Sequence, residues 1–478
     1  MTKADPPIKT TSKPPRRKRF GRAAGFVLAF VATAALTLPP QPAAAQRKQG
    51  GVSIIRDTEI EQLMRDYTRP LLRAAKLAQQ NIEVVIINDR RFNAFVMDGR
   101  RIFVNAGAIM ESEVPNEIIG VLAHEIGHIA GGHLSRLRQE MARAQTQAII
   151  AMILGMGAAV AAGRGGADIG NASAAILGPQ SAIMRSLLAY QRNQEEQADR
   201  AGVRFLDATG QSPKGMSDTF KRMADRALFA AQRADPYFQS HPMPAERVQA
   251  LSTLARTSPH WDRTDPPELQ LRHDLARAKL YGFLEPYATT LRRYPQSNTS
   301  LPARYARAIA TFRHANLRSA VAQIDALIAE RPNHASFHEL KGQALLEGGQ
   351  PAAAVAPLRR AVQLSGQPAL VQVMLAKALN ATGNKSVSQE SIRLLRAALA
   401  REPELPDGYM QLAMAYGRMG DIGQADLASA QAAFARGDHK TARELANRAK
   451  GRLPVGSPGW IRADDIATYK PPSKGFGR

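Results

Sequence analysis

The chain has 478 residues, of which 44% are hydrophobic and 22% are charged, and this balance excludes a wholly disordered polypeptide. At roughly 100–150 residues per domain, the length predicts about two or three domains. The sequence contains no cysteine, which excludes a disulfide framework, a cysteine-ligated zinc site and a thiol nucleophile. Any metal site must therefore be built from histidine and carboxylate ligands.

The net charge of +23 raises the question of a nucleic-acid partner. Residues 1–45 contain eight Lys and Arg residues and one Asp, a net charge of +7 that leaves +16 for the remainder of the chain. The remaining excess is spread along segments with helical patterning and lacks the interleaved aromatic residues of an RNA-binding surface. We therefore predict a basic, solvent-exposed surface and no nucleic-acid partner.

The N-terminal segment has the organisation of an export signal. Residues 1–22 are polar and basic, and Ala23–Leu38 form an uncharged apolar run of 16 residues that precedes prolines and small residues. This order predicts a secretory signal peptide over residues 1–45, cleaved between Ala45 and Gln46. A spanning helix needs about 20 apolar residues, so a permanent membrane anchor is the less favoured alternative.

The first part of the mature chain combines helical and strand patterns. Apolar residues recur at helical spacing over Ile60–Gln80. Three short runs rich in β-branched and aromatic residues follow and predict strands at Ile82–Ile87, Asn93–Val96 and Ile102–Val104. Asp98-Gly99 separates the last two runs, as in a tight hairpin turn, so we predict a small β-sheet within a mainly helical region.

A long helical pattern begins at Pro115 and continues to about Ile150. Residues 147–178 are rich in Ala, Gly, Ile and Met, and helical patterning resumes over Ala182–Leu206. The apolar part of this segment is too short to cross a bilayer. It is either a mobile apolar flap near a cleft, which could also contact a membrane surface, or a buried helix followed by a loop.

The C-terminal half has a repeating pattern. Residues 257–270 are rich in Pro, Ser, Thr and Asp and predict a domain boundary. Beyond them the sequence is rich in Ala and Leu, and successive prolines lie 37, 36 and 35 residues apart, at Pro295, Pro332, Pro368 and Pro403. This period and the alternation of small and large residues resemble the tetratricopeptide repeat, in which each unit is a pair of helices. We predict three or four such units over residues 270–455, in preference to generic antiparallel helices.

The segment Val121–His128 contains the strongest chemical signal in the sequence. It carries the pattern His-Glu-x-x-His, in which His124 and His128 are four residues apart. Residues i and i+4 share one face of a helix, so both imidazoles can bind one metal ion. Glu125 lies beside them, in position to accept a proton from the attacking water. The pattern therefore predicts a zinc centre with two histidine ligands and Glu125 as the general base.

A catalytic zinc site normally has three protein ligands, so one more ligand is required. His133 is the nearest candidate in sequence, but at 100° per residue it lies about 180° around a continuous helix from His124. We therefore expect His133 to be structural, or to support a ligand residue without binding the metal itself. The metzincin pattern does not apply either, because Leu134 stands where that pattern needs a histidine.

The better candidate for the third ligand lies downstream, in Arg192–Asp199. Glu195 and Asp199 are four residues apart on a predicted helix, so one carboxylate can bind the metal while the other orients a ligand histidine. Spacing alone leaves the choice between Glu195 and Glu196 open. The alternative is an ordinary solvated acidic face of the helix.

The two motifs together resemble those of the zinc metallopeptidases of the HtpX and CAAX-prenyl-protease family, in which His-Glu-x-x-His is followed by Glu-x-x-Ala-Asp. The resemblance implies one Zn²⁺ per chain, Glu195 as the third ligand and Asp199 as a carboxylate that supports the ligands. Members of the family often have Ser-Arg before the second motif, whereas this chain has Gln191-Arg192. That departure leaves the ligands intact.

A further segment extends the resemblance. Ser240–Arg247 is similar to the His-Pro…Arg segment that follows the zinc motifs in soluble members of this family. The resemblance implies that His241 lies near the metal, where it either stabilises the oxyanion of the tetrahedral intermediate or occupies the open zinc position at rest. It also implies that Arg247 lies beside the ligand residues.

The combination of an export signal, a zinc motif and C-terminal repeats most resembles the BepA-like periplasmic metallopeptidases, which take part in outer-membrane protein assembly and degrade misassembled chains. We therefore expect an α+β fold that is mostly α. Its parts would be a helical zinc-metallopeptidase domain with a small sheet over residues 46–265, an α-solenoid of repeats over residues 266–455 and a C-terminal tail over residues 456–478.

The same resemblance implies a zinc-dependent endopeptidase of the bacterial periplasm that acts on exported or misassembled polypeptides. The repeats would recruit clients or partners, among them the machinery that assembles outer-membrane proteins. The sequence leaves one alternative open, which is a chaperone or assembly scaffold with a mostly latent zinc site. In that case residues 147–178 or His241 would block the metal.

Overall fold

A computed structural model of the chain describes residues 47–49, 52–164, 169–229, 237, 240–314 and 316–471. The backbone alone is described at residues 47–49, 52, 148–149, 151–164, 169–184 and 227–229. The predicted signal peptide and its cleavage site lie outside the described residues. The described residues belong to one compact unit.

The N-terminal part contains a five-stranded sheet with the order β1-β2-β3-β5-β4. Its strands are β1 (Arg47–Gln49), β2 (Val52–Ile55), β3 (Glu83–Ile87), β4 (Ala94–Asp98) and β5 (Arg101–Asn105). β3 and β5 are parallel, and the other neighbouring strands are antiparallel. The predicted small sheet and its hairpin are confirmed as β3, β4 and β5, whereas the sequence analysis does not predict β1 and β2. β4 forms one edge of the sheet.

The N-terminal part also contains a group of helices with α3 in its core. They are α1 (Thr58–Ala74), α2 (Ala106–Glu111), α3 (Pro115–Gly131), α4 (His133–Arg164), α5 (Ile169–Ala208), α6 (Lys214–Phe229) and α7 (Ala245–Arg256). Pro115 occupies the first position of α3, where the missing N–H is not needed. The residues of α3 from Pro115 to Gly127 are all buried, and α3 contacts α1, α5 and α6. It is therefore the central helix of this core.

Two glycines allow the neighbouring helices to approach α3 closely. A Cβ atom at Gly120 would lie 2.5 Å from Cβ of Met216 on α6, and a Cβ atom at Gly127 would lie 2.7 Å from the backbone oxygen of Ala198 on α5. Neither position accommodates a larger residue unless a helix moves. α5 therefore lies directly against the part of α3 that carries the His-Glu-x-x-His motif.

The predicted apolar flap, residues 147–178, falls in the second half of α4 and the beginning of α5. Residues 165–168, and the side chains at 151–164 and 169–184, lie outside the described residues, so the flap stays a prediction. Among the helices in the described part of the chain, none combines the length and the apolar character that a bilayer-spanning helix requires.

The C-terminal part is an array in which each helix packs against the next along the chain. Its first six helices are α8 (Pro267–Leu284), α9 (Tyr287–Arg293), α10 (Leu301–His314), α11 (Leu317–Glu330), α12 (Ala335–Glu347) and α13 (Pro351–Leu364). The next six are α14 (Ala369–Ala381), α15 (Ser388–Arg401), α16 (Pro406–Met419), α17 (Ile422–Ala435), α18 (His439–Lys450) and α19 (Pro458–Thr468). The four prolines that define the repeat period lie in the loops before α10, α12, α14 and α16. The predicted solenoid of helix pairs is therefore confirmed.

α8 belongs to both parts of the molecule. Its Ala276 and Leu280 are buried in the core that also contains Ile118 of α3. Its Leu275 and Ala278 are buried in the first core of the repeat array. The predicted domain boundary just before α8 stays a prediction, and the two cores meet on this helix.

The predicted tail, residues 456–478, contains α19. This helix contacts α17 and α18, and Ala463 is completely buried in a cluster with Leu427 and Leu453. α19 thus extends the helical array, which corrects the prediction of a tail for this part of the segment. Residues 472–478 lie outside the described residues.

Candidate metal centre

α3 positions the three residues of the His-Glu-x-x-His motif. His124 and Glu125 are completely buried, and 13% of the side-chain surface of His128 is exposed. Because the two histidines are four residues apart on one helix, their rings meet edge to face and their Nε2 atoms lie 3.0 Å apart. Both Nε2 lone pairs can therefore point into one site.

α5 adds the third group of the site. Oε1 of Glu195 lies 3.3 Å from Nε2 of His128, and its Oε2 lies 3.4 Å from Nε2 of His124. Glu195 is buried whereas Glu196 is exposed, which distinguishes the two glutamates that spacing leaves equivalent. The close approach of α5 at Gly127 brings this turn of α5 within reach of both histidines.

His241 lies in the segment before α7 and completes the cluster. Its Nδ1 lies 3.3 Å from Nε2 of His124 and 3.0 Å from Oε2 of Glu195. Its Nε2 lies 3.3 Å from Oε1 of Glu125. The backbone N–H of His241 donates a hydrogen bond of 2.8 Å to the backbone oxygen of Tyr237, whose ring packs on the imidazole. The imidazole is thus held between Glu195 and Glu125.

The converging side chains fit a divalent metal ion. Four residues each contribute one donor atom within 4.8 Å of the others: His124, His128, Glu195 and His241. The Nε2 atoms of His124 and His128 are 3.0 Å apart, Oε1 of Glu195 lies 3.3 Å from Nε2 of His128, and its Oε2 lies 3.4 Å from Nε2 of His124. These distances are close to the edge of about 3.3 Å expected for a tetrahedron with metal–ligand bonds of about 2.0–2.1 Å. Neither oxygen of Glu125 accepts a hydrogen bond from a described residue, so this carboxylate is available beside the donor set.

Asp199 and Arg247 form a buried ion pair behind these donors. Oδ1 of Asp199 lies 2.8 Å from Nδ1 of His124, which favours a proton on Nδ1 and a lone pair on Nε2. Arg247 donates hydrogen bonds of 2.7 and 2.9 Å from Nε and Nη2 to the two oxygens of Asp199. Its Nη1 also lies 2.9 Å from Oε2 of Glu195. One guanidinium group therefore balances two buried carboxylates.

Burial and neighbouring charges set different pKa values for the two glutamates. Burial raises the pKa of Glu125, because the desolvated carboxylate is less stable than the neutral acid. Burial acts in the same direction on Glu195, but the three histidines of the cluster outweigh it and hold the pKa of Glu195 well below its usual range. Glu195 is therefore ionised, as a metal ligand must be. The pKa of Glu125 is raised, which suits a group that takes up and returns a proton.

The two motif histidines also differ in pKa. Burial lowers the pKa of His128 to about 3, so its ring is neutral and has a lone pair to offer. Burial alone also lowers the pKa of His124, but contacts with Asp199 and Glu195 outweigh it and raise the pKa to about 9. The two carboxylates thus favour a positive charge at His124. A metal cation at Nε2 can supply that charge in place of a proton on the same nitrogen.

His133 lies elsewhere than the continuous-helix argument predicts. α3 ends at Gly131, and Gly132 has a left-handed backbone with a φ of 61°, a conformation that glycine adopts readily. His133 begins the next helix, and its Nδ1 lies 3.0 Å from Nδ1 of His128. The unbroken helix on which the expected direction depends is therefore absent, and the ring of His133 lies against His128. The expectation that His133 is structural or supports a ligand stays a prediction. The Gly131-Gly132 pair is the sequence signal that the helix is interrupted here.

Two aromatic residues also line the site, and no sequence motif predicts them. Phe220 of α6 is buried edge to face against His124, with ring centroids 5.3 Å apart. The guanidinium carbon of Arg247 lies 5.6 Å from the same ring. Tyr237 is buried against His241, with ring centroids 4.7 Å apart. Neither aromatic residue belongs to a spaced motif, so the sequence contains no pattern that identifies them.

Two family models match the chain. Peptidase family M48 matches residues 55–255, and a tetratricopeptide repeat model matches residues 305–368. The first match contains all the residues of the cluster described above. The second match lies in the helical array, between α10 and the start of α14.

Curated relatives are similar over much of the chain. A beta-barrel assembly-enhancing protease from Yersinia pestis is 22% identical over 427 residues, which cover 88% of this chain and 85% of that protein. The protein of the same name from Escherichia coli (strain K12) is 23% identical over 425 residues, which cover 87% of this chain and 84% of that protein. Metalloprotease LoiP from the same strain is 30% identical over 192 residues, which cover 39% of this chain and 69% of that protein.

Proposed function

The chain belongs to peptidase family M48 and is a metalloprotease, and from this premise we propose that it is a zinc-dependent endopeptidase of the periplasm that acts on exported or misassembled polypeptides. The observation that carries the proposal is the convergence of His124, His128 and Glu195 beside the buried carboxylate of Glu125. These are the groups that a zinc peptidase needs to hold the ion and to move the proton.

His124, His128 and Glu195 would hold one Zn²⁺ per chain. Two imidazoles and one carboxylate form a ligand set typical of catalytic zinc, which keeps one coordination position open. When bound, Zn²⁺ lowers the pKa of a coordinated water to about 7 and polarises the scissile carbonyl group. Asp199 would support the ligand set because its carboxylate, 2.8 Å from Nδ1 of His124, favours a proton on that nitrogen and a lone pair on Nε2.

Glu125 acts first as the general base and then as the general acid. Its carboxylate accepts a proton from the attacking water and returns it to the leaving amine. No described residue donates a hydrogen bond to its oxygens, so both are available for that proton. Nε2 of His241 lies 3.3 Å from Oε1 of Glu125. An N–H at this place can donate to the oxyanion that develops during the attack.

The edge strand β4 offers a binding place for an extended substrate. β4 is the last strand in the order of the sheet and contacts α3, the helix of the zinc motif. A polypeptide that adds a strand to this edge binds through its backbone, with little dependence on its sequence. Met97 of β4 is 57% exposed and adds an apolar contact. This mode of binding suits unfolded or misassembled chains.

The repeats would recruit polypeptide clients or partner proteins, since solenoids present extended concave binding surfaces. A cavity of about 1390 Å³ opens between the start of α1 and the helical array, and apolar side chains in its lining include Leu280, Phe283, Leu346, Met374 and Phe434. Relatives over most of this chain are named beta-barrel assembly-enhancing proteases. Their names support clients among outer-membrane β-barrel proteins and a partner in the machinery that assembles them.

The test of the proposal is a paired measurement on the mature chain beginning at Gln46. Zinc content and cleavage of casein are measured for wild type and for Glu125→Gln, which keeps the side-chain shape but no longer takes up a proton. We expect zinc in both proteins and cleavage by wild type alone. Zinc in neither protein would contradict the metal site. Cleavage by Glu125→Gln would contradict the role of this glutamate.

A chaperone or assembly scaffold with a mostly latent zinc site is the second candidate function. One observation favours it, namely that Nδ1 of His241 lies only 3.3 Å from Nε2 of His124 and 3.0 Å from Oε2 of Glu195. From there His241 can occupy the coordination position that the attacking water needs. Zinc without casein cleavage in wild type would favour this function over the endopeptidase.

A further inference from the structure

We propose that His133 is a positioning residue for the metal site. Its Nδ1 accepts a hydrogen bond from the Nδ1–H of His128, which keeps the Nε2 lone pair of His128 directed toward the ion. The inference rests on the proposed zinc site and adds to it a residue outside the ligand set. It follows from the contact between Nδ1 of His133 and Nδ1 of His128, which are 3.0 Å apart.

The two nitrogens of the His128 ring face different neighbours. Nε2 faces the donor cluster, 3.0 Å from Nε2 of His124 and 3.3 Å from Oε1 of Glu195. Nδ1 faces His133 instead. A neutral imidazole carries one proton, so when Nε2 offers its lone pair to an ion, the proton is on Nδ1 and needs an acceptor.

His133 is suited to accept this proton. The two rings are nearly perpendicular, with an interplanar angle of 85° and centroids 5.0 Å apart, and the distance between the nitrogens is that of a hydrogen bond. Only 3% of His133 is exposed, so water has little access to the contact. In this arrangement His133 carries its own proton on Nε2.

The two ligand histidines then have different partners on Nδ1. His124 faces a carboxylate, since Oδ1 of Asp199 lies 2.8 Å away, whereas His128 faces a neutral imidazole. A carboxylate in both places would add a further buried negative charge to those of Glu195 and Asp199, which share the single guanidinium of Arg247. An imidazole supplies the acceptor without that additional charge.

Two consecutive glycines make room for the positioning ring. Gly132, with its left-handed backbone, ends α3 and turns the chain so that the next residue faces back toward His128. A Cβ atom at Gly131 would lie 2.1 Å from Nε2 of His133, so a larger residue there would displace the ring. The segment Gly131-Gly132-His133 therefore acts as one unit that places an imidazole against His128.

The test compares His133→Asn with His133→Leu in the mature chain. The two new side chains have nearly the same shape, but only Asn has an acceptor near the place of Nδ1. Zinc affinity is measured by competition with a chromophoric chelator, and the Co²⁺-loaded proteins are compared by visible absorption. We expect His133→Leu to bind zinc about 10–100-fold more weakly than wild type, with altered Co²⁺ bands. His133→Asn should recover most of the affinity.

Two further variants separate positioning from general effects of packing. Gly131→Ala displaces the His133 ring without removing it and should weaken zinc binding in the same direction, although Ala is the better helix former. His273→Leu removes a buried histidine that contacts Tyr67 and Ser112 instead of the ligands. This control should keep the zinc affinity of wild type. Circular dichroism of the zinc-free proteins identifies a variant that fails to fold. If a His133 variant fails to fold, the zinc affinity of Gly131→Ala tests the inference in its place.

Wild-type zinc affinity in His133→Leu would overturn the inference, and so would an equal loss in His133→Asn and His133→Leu. A matching loss in His273→Leu would attribute the effect to packing and would also overturn it. Absence of zinc from wild type would overturn the proposed zinc site together with this inference. If wild type binds zinc and substitutions at residue 133 leave the zinc affinity unchanged, only this inference is overturned and the proposed zinc site remains.

Discussion

Nζ of Lys279 lies 2.7 Å from Oδ2 of Asp57, where α8 meets the start of α1. The ammonium group also lies 3.2 Å from Oε2 of Glu59, and the hydroxyl of Tyr305 donates a hydrogen bond to that same oxygen. Burial lowers the pKa of Lys279, but the neighbouring carboxylates outweigh it and hold the pKa well above its usual range. Lys279 therefore stays charged, and a buried ion pair connects α1 to the repeat array.

Replacement of Lys279 by Met should destabilise the whole protein. Asp57 and Glu59 would be left without their counter-charge in a largely buried place, and such a loss costs about 3–5 kcal/mol of the free energy of unfolding. Urea denaturation followed by circular dichroism measures this change. The control is Lys341→Met, which removes a more exposed ion pair with Asp325 and should cost less than about 1 kcal/mol. Equal losses in the two variants would show that the buried pair has no special role.

Replacement of Glu195 by Gln should remove most of the zinc affinity, because a neutral amide replaces the one anionic ligand of the site. The loss should exceed the roughly 10–100-fold effect typical of residues that only support ligands, and casein cleavage should fall with it. Glu196→Gln is the matched control, one residue along the same helix but exposed, and it should keep both properties. Loss of zinc in the control and not in Glu195→Gln would reverse the assignment of the third ligand.

Replacement of His241 by Ala distinguishes its two roles. We expect casein cleavage to fall by about 10²-fold or more while zinc content stays the same, because the N–H that stabilises the oxyanion is lost. Ser240→Ala changes the exposed neighbouring position and should leave cleavage unchanged. A rise in cleavage would instead identify His241 as a ligand that blocks the resting site, and would favour the latent scaffold.

His273 of α8 should make stability depend on pH. The hydroxyl of Tyr67 donates to its Nδ1 at 3.1 Å, and its Nε2 donates to the backbone oxygen of Ser112 at 2.8 Å. Burial lowers the pKa of His273 from 6.5 to about 4, whereas the same residue in the unfolded chain titrates near pH 6.5. Between these two values the unfolded state binds more protons than the folded state, so the free energy of unfolding decreases as the pH falls.

The variant His273→Gln removes this titration, while its amide can still donate to Ser112. From pH 6.5 to pH 4, wild type should lose more stability than the variant, by an amount on the order of 3 kcal/mol. Denaturation curves are recorded at several pH values with a chelator present, so that release of a metal does not contribute. His314→Gln, at an exposed position, is the control. Parallel pH profiles for wild type and His273→Gln would contradict the prediction.

The proximity of the two motif histidines can be predicted because it depends on local geometry. The spacing of His124 and His128 on one helix determines that their rings meet, whatever the rest of the chain does. The choice between Glu195 and Glu196 is different, because it depends on which side of α5 faces α3. That orientation follows from the close contact at Gly127, which joins segments far apart in the sequence.

In the fold, too, features that depend on local sequence can be predicted, whereas those that depend on packing between distant segments cannot. β3 and β5 are predictable from their β-branched residues, but β1 and β2 have three and four residues and are too short to show an alternating pattern. The direction of His133 does not follow from 100° per residue, because the helix is interrupted at Gly132. α19 lies in the segment predicted as a tail, and its helical structure is stabilised by packing against α17 and α18.

The sharing of α8 between the two cores has a consequence for how a client reaches the zinc motif. This one helix packs in both cores. The repeats and the protease part are therefore not joined by a flexible linker that could carry a bound client to the zinc motif. If the repeats hold a client, as proposed above, the segment to be cleaved must reach the zinc motif as unfolded chain beyond the part that is held. An unfolded or misassembled client would expose such a segment, whereas a completely folded one would not. We therefore expect clients to be sorted by how much loose chain they expose, more than by any sequence that they carry.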